Sequence, residues 1–199
     1  TKCQALEYIT GIQIVRRAFD VFGSITIVPG ALGAFKKSYL AEAGIYGKET
    51  IVEDFDQTIK LLKAGLITQG SSKATAYTEA PNTLHDFVAQ RKRWYRGNIQ
   101  VLKRHSDALF NPRFGYLQRL SLPYLFLGMV ITPIIGFTAT ANAILGIILG
   151  DGWYVLQVSM IFVVVHYLMS ALAIRIDGED PKLFWHAGFL VFRFKQLID

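Results

Sequence analysis

Three short stretches carry side chains whose types and spacing suit chemistry. The first is Glu53-Asp54, two acids opening a helical pattern that continues Phe55-Asp56-Gln57-Thr58-Ile59-Lys60-Leu61-Leu62. A carboxylate held at a helix terminus and facing a cleft is placed to act as a general base. Acids at a helix start also accept hydrogen bonds from free backbone N–H groups and suit the helix dipole, so a capping role fits equally. The second stretch is Gln90-Arg91-Lys92-Arg93-Trp94. On a helix Gln90, Arg93, Trp94 and Gly97 share one face, while Arg91 and Lys92 point elsewhere, to solvent or lipid headgroups. An arginine fork beside a glutamine suits a diphosphate, which it binds through paired oxygens. A tryptophan plane stacks on the C–H face of a sugar, and equally anchors a helix at a membrane surface. The third stretch is Pro29-Gly30-Ala31-Leu32-Gly33-Ala34-Phe35, whose two glycines permit a tight turn or a close backbone approach.

The elements that must position these residues follow from local pattern. Apolar residues at Leu6, Ile9, Ile12, Val15 and Phe19 predict an amphipathic helix over 4–19. The β-branched run 24–28, closed by Pro29-Gly30, reads as a short strand. A short helix over 37–43 stops at Gly44. Helices are expected over 54–64, ended by Gly65, and from about Leu84 to His105 after Pro81-Asn82-Thr83. Residues 67–77 are expected to be extended and to contain a strand. Strands alternating with helices indicate an α/β domain.

The second half of the chain has a different composition. Residues 120–149 and 153–174 contain no Asp, Glu, Lys or Arg. Each run reaches the roughly 20 apolar residues that cross a bilayer. A third segment from 183 is a further candidate. The chain carries a net charge of +6. Much of it lies just before the first run, in Arg91, Lys92, Arg93, Arg96, Lys103, Arg104, Arg113 and Arg119, against Asp107 alone. That asymmetry places the N-terminal domain on the cytoplasmic side. A basic stretch beside a span suits anionic headgroups or an anionic substrate, and argues against nucleic acid as partner. The one cysteine, Cys3, excludes a disulfide within the chain. Asn142 and His166 lie inside the apolar runs and read as hydrogen-bonding residues between helices.

The order of these features — glycine turn, Glu53-Asp54, then Gln-x-x-Arg-Trp, then apolar spans — resembles the processive family 2 glycosyltransferases, the synthases of cellulose, chitin, hyaluronan and poly-N-acetylglucosamine. Gln4-Ala5-Leu6-Glu7-Tyr8, Gly30 to Phe35 and Thr78-Glu79-Ala80-Pro81 look most like the poly-β-1,6-N-acetylglucosamine synthase group. Where those families usually have Thr before the acid pair, this chain has Val52.

The resemblance implies the C-terminal part of a GT-A (Rossmann-like) domain over 1–106, a basic interfacial segment over 107–119 and a membrane region over 120–199. It implies an inverting hexosyltransferase that takes a nucleotide-sugar, expected to be UDP-N-acetylglucosamine, and extends a β-linked polysaccharide at the inner membrane, coupled to export. Asp54 would be the base. Gln90 and Arg93 would hold the diphosphate, and Trp94 would stack on the acceptor sugar. Glu53 would orient the helix start, and Gly30 and Gly33 would admit backbone to the acceptor. The Mg²⁺ or Mn²⁺ and its D-x-D ligands are expected upstream of residue 1, so the chain alone is expected not to turn over. Two other readings are a non-processive transferase acting on a lipid such as a polyprenyl phosphate, and a non-enzymatic membrane transport segment.

Overall fold

The computed structural model describes residues 2–71 and 73–189. They fall into two compact units, one over 16–129 and one made of 2–15 with the residues from 130 onward.

In the unit over 16–129, two helices carry the candidate chemistry. Helix α4 (Glu53–Lys63) follows α1 (Lys2–Glu7), α2 (Ile14–Asp20) and α3 (Lys37–Ala43), and α5 (Leu84–Arg104) follows it. Acids Glu53, Asp54 and Asp56 fill the first turn of α4, and Lys60 and Lys63 the last, as the helix dipole favours. The apolar stripe Phe55, Ile59 and Leu62 faces inward and is nearly inaccessible. Helix α5 starts at a reciprocal cap. Thr83 accepts from the Asp86 amide at 3.1 Å, and its hydroxyl donates to the Asp86 carboxylate at 2.6 Å. Val101 of α5, Ala108, Leu117, Leu122 and Leu125 complete the core around the α4 stripe. Helix α6 (Leu122–Phe126), in the first turns of the long apolar run, thus contributes Leu122 and Leu125 to this core. Ser121 adds a buried hydrogen bond to Ser24, with the hydroxyl oxygens 2.8 Å apart.

The strand expected over 24–28 is reduced here to a single parallel bridge between Ser24 and Thr68. No strand of ladder length is present among the described residues. A β-branched run reaches strand geometry only when a neighbour offers a matching row of amides and carbonyls. Here Thr68 alone answers Ser24, and the side chain of Thr58 replaces a strand partner by accepting from the Val28 amide at 3.1 Å. The α/β expectation is therefore not confirmed: the described residues are mostly helical, with a single parallel bridge and no sheet among them.

The second unit contains α7 (Thr132–Ile148) and α8 (Gly152–Asp177), joined by a turn at Gly150-Asp151. Two helical stretches, Leu117–Ile148 and Gly152–Asp177, are long and apolar enough to cross a membrane. Large apolar side chains such as Ile148, Leu149, Ile161 and Leu168 stand exposed along them. Helix α8 ends at Gly178, whose left-handed backbone (φ 69°) turns the chain. Leu6, Ile174 and Ala187 form a small buried cluster in this unit, lined by Tyr167, Leu183 and Phe184. The Asn142 amide donates within its own helix, to the Thr138 carbonyl at 2.8 Å, rather than across to a neighbour. Most of the third span proposed from 183 lies outside the described residues, which reach 189.

Candidate functional site

Asp54 sits in the first turn of α4 and is half-buried. One carboxylate oxygen accepts from the Gly30 amide at 3.1 Å, the other from the Phe55 amide at 2.8 Å. Each oxygen keeps a further lone-pair direction, so the group can still accept a proton or a substrate hydroxyl. The Thr58 hydroxyl donates to the Asp54 carbonyl at 2.7 Å and accepts from Val28, so the glycine turn is fastened to α4 at two points. The turn and the acid pair, read separately from sequence, are one structural feature.

Gly30 and Gly33 both keep negative φ, so neither serves a left-handed turn. A Cβ on Gly33 would lie 2.9 Å from Val28 and 3.0 Å from Phe35, so this glycine admits its own turn's side chains. A Cβ on Gly30 would meet Asp54 at an ordinary 3.7 Å. Glu53 is exposed at the first position of the helix.

Two further side chains belong to this feature. Burial draws Arg16 below arginine's ordinary value, and the negative charge of Asp54 pulls it back up. Burial raises Tyr46, and the charges of Asp54 and then Glu53 raise it further, so its hydroxyl stays protonated. Arg16 and Tyr46 were missed in the sequence because neither belongs to a motif: Arg16 lies on α2, far along the chain from the acid pair, and Tyr46 in the segment between α3 and α4.

On α5, Gln90 and Arg93 open onto a groove of about 500 Å³, bounded by residues 79–82, Asp86 and Ala89. Arg93 is exposed and Gln90 half-buried. The Gln90 side-chain oxygen is buried and bonded to no other protein group. Arg91 differs from the sequence expectation. It is buried at 8% exposure, and its guanidinium lies 4.8 Å from the Phe87 ring and 4.6 Å from the Trp94 ring. Residues 87, 91 and 94 share a helix face, and cation–π attraction favours this stack over full hydration. Arg91 therefore backs one face of Trp94 and fixes its plane, whereas Lys92 is exposed as expected.

Gly97 brings α5 against the residue that precedes α4. A Cβ there would stand 2.5 and 2.6 Å from the Val52 methyls and 3.1 Å from its Cβ. The glycine lets α5 rest directly on the residue preceding the acid pair, and the Ile51 amide adds a long 3.4 Å bond to Gln100. Because Val52 is β-branched, it has no long flexible end to swing aside. Gly97→Ala is expected to destabilise the fold by about 1–3 kcal/mol through overpacking. Thermal melting of Gly97→Ala against the double variant Val52→Ala/Gly97→Ala checks this: the second change recovers part of the loss, and melting equal to wild type in the single variant contradicts the contact.

No group of three or more His, Cys, Asp or Glu side chains is placed to hold a metal among the described residues. These residues do not fit the divalent cation that the resemblance implies, and no step below runs through one.

The chain is 30% identical over 103 residues to the poly-β-1,6-N-acetyl-D-glucosamine synthase of Staphylococcus aureus (strain COL), an alignment covering 52% of this chain and 25% of that protein. The synthase of the same name from Staphylococcus epidermidis aligns with the same identity and coverage. The chain thus spans about a quarter of the length of these curated relatives. No solved structure matches it significantly. Residues 1–174 match the family described as glycosyl transferase family group 2, and the chain belongs to that family.

Proposed function

We propose that this chain carries the acceptor side of an inverting glycosyltransferase site, as part of a longer membrane polypeptide that extends a β-linked polysaccharide. The observation that carries the reading is the seating of Asp54. It is fastened to the Gly30 turn and tied through Val52 and Gly97 to the helix bearing Gln90, Arg93 and Trp94. In this reading Asp54 takes the proton from the acceptor hydroxyl as that oxygen attacks C1 of the donor sugar. The C1–oxygen bond to the nucleoside diphosphate breaks, and the diphosphate leaves with the electron pair. Arg93 and Gln90 hold the diphosphate and stabilise the charge that grows on it. Trp94, backed by Arg91, stacks on the terminal acceptor sugar and sets its angle of attack.

The relatives' names support N-acetylglucosamine as the sugar transferred, and the donor in this reading is UDP-N-acetylglucosamine. A divalent cation is proposed to be held by residues other than those described. The two long apolar helices support a multi-pass position in a bilayer, with the catalytic unit on the cytoplasmic side and the spans forming part of an export path. Three domain regions follow from the same reading: the catalytic part to about 106, the basic interfacial stretch over 107–119 and the membrane region from 120.

The test is product analysis with the whole protein in membranes, supplied with labelled UDP-N-acetylglucosamine or UDP-glucose. A ladder of N-acetylglucosamine oligomers, competed weakly by UDP-glucose, is the expected result. A single sugar on an extractable lipid would assign the chain instead to a non-processive lipid glycosyltransferase. Absence of any transfer would leave a transport segment.

A further inference from the structure

Behind the acid pair lies a second, buried cluster. Asp56 is 2% exposed, although it stands only one helical position past Phe55 in the first turn of α4. Its carboxylate receives the His105 Nε2 at 2.9 Å, the Lys60 ammonium at 2.8 Å and the Arg104 Nε at 3.3 Å. His105 caps the C-terminal end of α5 and is 5% exposed. The other charged groups around the pair are Glu49, 3.8 Å from Arg104, and Lys63, which is held by Asp107 at 2.8 Å.

We propose that the Asp56–His105 pair is a positioning element of the transferase site, a latch that fixes the C-terminal end of α5 to the first turn of α4. The proposal rests on the transferase reading above. Helix α5 is held at two levels near the chemistry. Beside the acid pair Gly97 sits on Val52, and two turns further along, past Val101 in the shared core, His105 and Arg104 both bond Asp56. A single close contact leaves a helix free to pivot, and a second fixes its angle. The angle decides where Gln90, Arg93 and Trp94 stand relative to Asp54. Neither Asp56 nor His105 touches the groove or the glycine turn, so they act through the helices and not on substrate.

The chemistry of the pair makes the latch depend on the protonation of His105. With Nε2–H donating to Asp56, Nδ1 is left as a bare acceptor, buried and bonded to no protein group. A proton added there would find no acceptor. Burial accordingly lowers His105, outweighing the pull of the Asp56 carboxylate in the other direction, while Lys63 and Arg104 lower it further. Burial would by itself raise Asp56, but the bonds from Lys60 and His105 prevail and hold it below the ordinary carboxylate value. The neutral histidine and ionised aspartate are thus the fitting pair. For a histidine whose folded value is lowered, the unfolded chain binds the proton first, so its contribution is full above about pH 6.5 and shrinks as pH falls below it. The lowered Asp56 contributes in the same sense, with its part lost only below about pH 4.

The experiment uses the whole protein in nanodiscs and compares wild type, His105→Gln and His105→Phe. A glutamine amide can still donate to Asp56 but has no proton to gain. Polymer synthesis by wild type is expected to show an acid limb, lying below the ordinary histidine value of about 6.5, that His105→Gln lacks, with His105→Gln within about threefold of wild type at pH 7.5. His105→Phe is expected to lower kcat about tenfold with KM for the nucleotide-sugar unchanged. Hydrogen exchange gives an activity-free readout: on acidification from pH 7.5 to 5.5, amides over 52–58 lose protection in wild type and not in His105→Gln. Equal acid limbs and equal exchange in wild type and His105→Gln would overturn the latch. So would a wild-type kcat in a folded His105→Phe. If Asp54→Asn still makes polymer, the transferase reading fails, and the exchange result decides on the latch separately.

Discussion

Asp54→Asn is expected to lower polymer synthesis by about 10³–10⁴-fold while leaving nucleotide binding and thermal melting close to wild type. General-base catalysis contributes on the order of 10²–10⁴-fold, and an amide cannot take the acceptor's proton. The loss of protein stability should be small. Asn keeps one oxygen for one of the two amides, Gly30 or Phe55, and gives up the other half-buried acceptor, while the Thr58 hydroxyl still donates to the backbone carbonyl of residue 54. The pattern that marks the base is therefore a fall in kcat with an unchanged dissociation constant for UDP, measured by calorimetry on the purified whole protein. A parallel fall in melting temperature would show that the acid pair chiefly caps α4.

Arg93→Ala is expected to cost about 10²–10³-fold in kcat/KM, the scale on which a charge-stabilising donor acts in a transition state. Arg93 is exposed along the groove and lies outside the buried core, so its removal should leave folding intact. Arg93→Lys restores the charge but not the planar fork, and should recover only a small part of the loss. Arg91→Lys acts differently. It removes the flat surface behind Trp94, which lies 4.6 Å from the guanidinium, and is expected to weaken acceptor binding more than donor binding. Separate titrations with an oligosaccharide acceptor and with UDP distinguish the two arginines.

The helices that bear the chemistry were legible because their boundaries are chemical. Acids at Glu53-Asp54 and Gly65 bracket α4, and the Thr83–Asp86 cap starts α5. The apolar runs gave the two long helices for the same reason, since composition alone sets them apart. Pairing was not legible. The run 24–28 has strand chemistry, but a strand exists only with its neighbours, and Thr58 and Thr68 meet it in ways that no local pattern announces. Arg91 was misplaced for a related reason. Spacing alone sends a charged residue outward, yet Phe87 and Trp94 on its own face offer two aromatic planes that hold it in. The Asp56–His105 bond joins residues 49 apart in the chain, and neither belongs to a motif. Gly97 was placed on the motif's face from spacing, but its purpose, the approach to Val52, depends on a partner helix.

The acid pair itself offers the sharpest test of the account. Glu53 is exposed at the first position of α4, whereas Asp54 is half-buried against the Gly30 amide, so the two neighbours should differ greatly in consequence. The measurement is single-turnover extension of a defined β-linked oligosaccharide by the whole protein, with UDP-N-acetylglucosamine as donor, for Asp54→Asn and Glu53→Gln. Glu53→Gln is expected to extend the acceptor within about tenfold of wild type, while Asp54→Asn is expected to extend it about 10³–10⁴-fold more slowly than wild type. Extension by Asp54→Asn at the rate of Glu53→Gln would contradict the account.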